Sequence, residues 1–79
     1  MLAGALAAHP KVTHAELRVV RYLPSNLTAS EIASELVVST NTVRTHMRHI
    51  YAKLDAHSRS EAVARARELG LVAPGAVRR

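Results

Sequence analysis

The chain contains no cysteine, tryptophan or phenylalanine, and only two tyrosines. Without cysteine there is no disulfide staple, no thiolate metal centre and no cysteine nucleophile. The fold must rest on packing alone, and the expectation is a reducing, cytoplasmic compartment. With aromatics at 3%, the core must be built from Leu, Val, Ile and Ala. That palette suits packed helices better than a sheet. Three glycines and three prolines are too few for a loop-rich mini-protein. No apolar run approaches the roughly 18 residues of a membrane span. At 79 residues there is room for one small domain, which argues against a multidomain enzyme with a deep cleft.

Acidic residues are also scarce. Eleven Lys+Arg against six Asp+Glu give a net charge of +5 and an isoelectric point near 10.8. A small domain this basic points to a polyanionic partner. Most of the cations are arginine, the residue that forks onto phosphates and guanine edges. Met1–Ala8 is too short, and lacks the positive start, for a signal peptide. Residues 1–11 therefore read as a linker, 12–71 as the domain, and 72–79, with Pro74, Gly75 and a terminal Arg pair, as a frayed tail. The chain is expected to be a piece of a larger protein.

The strongest local signal is a hydroxyl followed three residues later by glutamate. It occurs at Thr13–Glu16, Thr28–Glu31 and Ser58–Glu61. In such a capping box the hydroxyl accepts from a first-turn N–H while the carboxylate reaches back. Each opens an apolar periodic run. The pattern predicts an all-α, compact four-helix domain with helices over about 13–23, 28–36, 40–54 and 58–69. The inward residues are Val19, Val20 and Leu23; Ile32, Ala33 and Leu36; Val43, Met47, Ile50 and Leu54; and Ala62, Ala66 and Leu69. Pro24 stops the first helix. Ser39 caps the third, and Gly70 sits where a C′ glycine belongs.

On a helical wheel the third helix sets its apolar stripe against a polar face of Asn41, Thr45 and Arg48, with Arg44 on the flank. Arg44, Arg48, Lys53 and Arg59 stand against one anion, Asp55, between Ser39 and Arg59. A short helix, a three-residue link (Val37, Val38, Ser39) and a longer basic helix make a helix-turn-helix signature. The major groove, about 12 Å wide, admits one helix. The starts of the second and third helices can offer N–H groups to phosphates.

Val12 to Leu71 resembles the C-terminal DNA-binding domain of LuxR-type (GerE-like) bacterial transcription regulators. The segments that carry the likeness are VTHAE, LTASEIASELVVS, NTVRTHMRHIYAKL and SRSEAVARARELGL. The pattern T-V-R-x-H-x-x-x-I-x-x-K-L, from Thr42 to Leu54, is highly specific to that family. RYLPSNLTASEIA resembles the branch at the end of large, ATP-dependent regulators. The resemblance implies sequence-specific binding of double-stranded DNA, the third helix reading the major groove as the output domain of a larger regulator. It implies base contacts at Arg44, Thr45 and Arg48, and phosphate contacts at Thr28, Ser39, Asn41, Thr42 and Lys53. It further implies that the fourth helix pairs with its counterpart on a two-fold-symmetric site. The chain departs from the family at Asn26 and Asp55, which replace turn glycines, at Ala56, which replaces a larger aliphatic, and at Ala15, where an arginine is missing. These changes bear on local stability rather than on the reading surface.

Blander readings stand beside these. Arg44 and Arg48 on their own are ordinary surface cations; the helix-turn-helix context is what favours DNA. Thr28 and Ser39 serve as helix caps whatever else they do. His46 and His49 have metal-like spacing, but no Cys and no carboxylate share their face, so no metal or cofactor is expected. His46 is expected to pack at the border of the apolar stripe and bond nearby backbone. On the fourth helix Ser60, Ala64 and Arg67, with Val63 beside them, form a small strip that reads equally as a contact for a second copy or as a plain exposed face. It falls short of the roughly 1,000 Å² of a stable interface, so the expectation is a monomer free in solution that pairs on DNA. A basic protein-docking module, for instance on RNA polymerase, is the competing function, and RNA binding a third. No constellation for catalysis is present.

Overall fold

Each helix among the described residues begins on a hydroxyl. The computed structural model describes residues 11–72. It contains α1 (His14–Val20), α2 (Ala29–Leu36), α3 (Thr40–Lys53) and α4 (Arg59–Glu68), with no strand among the described residues. Thr13, Thr28, Ser39 and Ser58 are the N-caps, and their side chains accept from the amides of Glu16, Glu31, Thr42 and Glu61. The expected all-α, four-helix arrangement is the one that forms. Of the predicted lead segment and tail, only Lys11 and Val72 fall among the described residues. No helix described is long and apolar enough to cross a membrane.

Two local expectations need correction. The capping box is reciprocal at Thr13 and Thr28. At the third site Glu61 Oε1 accepts instead from the amide of His57, at 2.8 Å, so the carboxylate reaches one residue further back. The first helix also ends three residues early, at Val20. The Tyr22 and Leu23 amides bond Val19 and Val20 carbonyls in tight turns. The carbonyls of Tyr22 and Leu23 then accept from the Arg59 guanidinium, and Pro24 has no amide to carry a helix on.

α2, α3 and α4 end alike. A residue with positive φ follows each: Val37 (φ 59°), Asp55 (φ 55°) and Gly70 (φ 75°). The next amide reaches back to close the end, Val38 to Ala33, Ala56 to Tyr51 and Leu71 to Ala66, at 3.0, 2.8 and 2.8 Å. This pattern satisfies carbonyls that the helix leaves free. Glycine enters it without cost and aspartate tolerates it, whereas valine, branched at Cβ, is strained there.

α3 is the central element and packs against α2, α1 and α4. Val43 and Ile50 are fully buried on its inner side, with Leu54 at its end. They meet Val19, Val20 and Leu23 of the α1 region, Ile32 and Ala33 of α2, and Ala62, Val63 and Ala66 of α4. Met47, Leu36 and Leu69 are half-buried against this cluster. Burying a side chain such as Ile50 stabilises by roughly 1.5–3 kcal/mol, so the inner stripe fixes how α3 is turned. The alanines of α4 let it lie close. Among the described residues one polar side chain joins the core, Glu16, with 3% exposure.

Candidate nucleic-acid interface

Because Val43 and Ile50 point inward, the opposite side of α3 faces water. Asn41, Arg44 and Arg48 are exposed, and Thr42 and Thr45 are half-buried beside them. Arg44 and Arg48, four residues apart, stand one turn from each other on one side of the helix. Neither takes part in any ion pair among the described residues. Fourteen residues give a rod of roughly 21 Å, whose outer face carries two free guanidiniums.

The start of α3 carries a hydroxyl cap and no acidic partner. Ser39 Oγ accepts from the Thr42 amide at 3.0 Å and lies 2.8 Å from Thr42 Oγ1. No acidic side chain occupies its first turn, so the positive end of the helix dipole is uncompensated. The start of α2 differs. Thr28 is exposed, but its amide donates to Glu31 Oε1 at 2.8 Å and its hydroxyl accepts from the Glu31 amide. The Thr28 hydroxyl proton is left to donate outward.

Two cations counted toward the basic face are engaged within the molecule. Lys53 Nζ lies 2.6 Å from Glu16 Oε1 and 2.7 Å from the Lys11 carbonyl. His49 Nδ1 stands 3.6 Å from the other Glu16 oxygen. Burial pushes the Glu16 carboxyl up, but the Lys53 ammonium and the amide and hydroxyl of Thr13 outweigh it and hold it below its ordinary value. Arg59 is half-buried and spends its guanidinium on a loop of the fold. Its guanidinium donates to the carbonyls of Leu23 (2.9 Å), Leu27 (2.6 Å), Tyr22 (3.1 Å) and Ser25 (2.9 Å). Tyr51 is half-buried; burial raises its phenol above the ordinary value, against the opposing charge of Arg59.

Glu16 was legible in one respect. It precedes Val19, Val20 and Leu23 by three, four and seven residues, so a carboxylate sits on the apolar stripe. Arg59 left no such mark, since no periodicity shows which loop carbonyls a side chain will meet. His46 is half-buried as expected, but its Nδ1 is buried without a partner, so the anticipated backbone bond from that atom does not form. Among the described residues no cluster of His, Asp and Glu could hold a metal.

On α4, Ser60 and Ala64 are exposed and Arg67 is half-buried. Val63 is only 8% exposed and belongs to the core. The outer strip is thus made of Ser60, Ala64 and the Arg67 side chain, with little of Val63 showing.

A short helix packed on a longer one through a three-residue link, with the longer helix offering an unengaged basic face, defines a helix-turn-helix domain of the DNA-binding kind. The family described as bacterial regulatory proteins, luxR family, matches residues 11–66. The HTH-type transcriptional regulator MalT of Serratia proteamaculans is 36% identical over 73 residues, covering 81% of this chain and 8% of its own length. A putative HTH-type transcriptional regulator of Mycobacterium bovis is 42% identical over 59 residues, covering 75% of this chain and 7% of its own. The Fimbriae Z protein of Escherichia coli K12 is 43% identical over 47 residues, covering 60% of this chain and 22% of its own. The chain belongs to the LuxR family of bacterial regulatory proteins, and it spans less than a tenth of the length of the MalT and mycobacterial relatives.

Proposed function

We propose that this chain is the C-terminal output domain of a larger bacterial transcription regulator and binds specific duplex DNA by placing α3 in the major groove. The observation that carries the reading is the outer face of α3, where Arg44 and Arg48 are exposed and without ion-pair partners among the described residues. The major groove presents a distinct donor and acceptor pattern for every base pair, and paired arginine donors suit guanine O6 and N7. Arg44, Thr45 and Arg48 read base edges. Thr28, Ser39, Asn41 and Thr42 meet the sugar-phosphate backbone. Lys53 spends two of its three N–H donors inside the fold and has one left for a phosphate.

Two copies pair on a two-fold-symmetric site through Ser60, Ala64 and Arg67 of α4, Val63 lying just beneath. The working place is the bacterial cytoplasm, where the DNA is. The names of the relatives, HTH-type transcriptional regulators, support the regulatory role.

Selection of bound duplexes from a random pool tests this reading. A recovered pair of similar half-sites, spaced by about one helical turn or a multiple of it, is the expected result. Recovery of unrelated sequences, with equal binding to all duplexes, would sink it.

A further inference from the structure

Arg59 is the first residue of α4, yet every bond of its guanidinium runs to a different part of the chain. Its Nε and both terminal nitrogens donate to four carbonyls within residues 22–27, at 2.6 to 3.1 Å. Ser25 reinforces the same loop, its hydroxyl donating to the Tyr22 carbonyl and accepting from the Leu27 amide. The last carbonyl in the set belongs to Leu27, and the next residue is Thr28, the N-cap of α2. Arg59 therefore decides where α2 begins relative to α4.

We propose that Arg59 is a positioning residue for DNA binding. It holds the loop before α2 so that the Thr28 hydroxyl stands at the height of the sugar-phosphate backbone while α3 lies in the groove. The inference rests on the reading that the start of α2 meets that backbone. In a helix-turn-helix the first helix crosses the backbone, so a shift at Leu27 displaces a contact that orients the domain. Arginine suits the task because its planar fork presents five fixed donors, four of them used here. A lysine ammonium is a single point that cannot span carbonyls lying on different sides of it. With its donors turned inward, Arg59 acts through the loop and touches no DNA itself.

The test pairs Arg59→Lys with Thr28→Asp. Aspartate keeps the N-cap but sets a negative charge against a phosphate. Affinity for the duplex recovered by selection is measured with the 79-residue chain, alongside far-ultraviolet circular dichroism at the assay temperature. All four members carry Val37→Gly, which is expected to add stability by removing a left-handed valine, and affinities are compared at a temperature where circular dichroism shows all four folded. With Arg59 in place, Thr28→Asp should weaken binding roughly tenfold or more, the loss expected when a charge-assisted bond is replaced by repulsion. In the Arg59→Lys chain the same substitution should cost no more than about threefold, because the loop has already carried residue 28 away. An equal loss in both chains would overturn the inference and leave Arg59 a support of the fold alone. If Thr28→Asp costs nothing while the parent chain still binds, the backbone contact at α2 is absent and the inference goes with it. If the parent chain binds no duplex, the proposed function itself fails.

Discussion

Lys53, the last residue of α3, places its ammonium 2.6 Å from the buried Glu16 carboxylate of α1. The ion pair ties the end of the proposed reading helix to α1, which packs against it. Both Glu16 oxygens are used, since the Thr13 amide also donates to Oε1 and His49 approaches Oε2. A carboxylate that is 4% exposed is tolerable only with such partners.

Replacing Glu16 with glutamine should cost stability by about 1–3 kcal/mol in a urea melt. Breaking a fully buried pair costs about 3–5 kcal/mol, but Lys53 keeps 31% exposure and can turn to water. The same carboxylate shapes the acid limb. Its folded-state pKa lies below the ordinary 4.5, so the unfolded chain takes up the proton first as pH falls. The contribution is complete above that ordinary value and is lost as pH drops through the lower, folded value. Urea midpoints measured from about pH 6 down to about pH 3 should therefore fall, and Glu16→Gln should flatten part of that fall.

Val37 is 88% exposed and sits at φ 59°. A left-handed conformation costs an L-residue about 1–2 kcal/mol, and glycine repays about 0.5–1 kcal/mol of that in the unfolded chain. Val37→Gly should therefore stabilise by about 0.5–1 kcal/mol and raise the melting temperature by roughly 2–8 °C. The mirror experiment is Gly70→Ala. A Cβ there meets nothing within 4 Å, yet φ is +75°, so a loss of about 1 kcal/mol would come from the backbone alone.

These two positions show what the sequence does and does not disclose. Helix starts were legible because caps are local: a hydroxyl and a glutamate three residues apart mark three of the four starts, and the Ser39 hydroxyl alone marks α3. The stripe Val43, Ile50 and Leu54 was legible because burial follows the helical period. Gly70 was legible as a stop by its residue type. The end of α2 at Leu36 was read from the sequence as well, but the left-handed backbone at Val37 was not, because it goes against the preference of a β-branched residue. Asp55 marks a turn that its residue type allows but does not demand. Arg59 and Lys53 look like members of a basic face until folding supplies the carbonyls and the carboxylate that engage them. Arg44 and Arg48 keep the exposure that the wheel assigned to them.

Lys53→Ala should weaken binding to specific and mixed-sequence duplexes alike. If its remaining donor meets a phosphate, the log–log dependence of affinity on salt becomes shallower by about 0.9. An unchanged slope, together with a lowered urea midpoint, would confine Lys53 to its pairing with Glu16.

Base reading by the outer face of α3 is tested by discrimination between duplexes. Affinities for the selected duplex and for a scrambled one are compared in the parent chain, Arg44→Ala and Arg48→Ala at fixed salt. Both side chains are exposed, so stability should stay within about 0.5 kcal/mol of the parent. Each substitution should cost about 1–3 kcal/mol on the selected duplex and much less on the scrambled one, narrowing the ratio between them. A ratio that stays at the parent value in both variants would contradict the account.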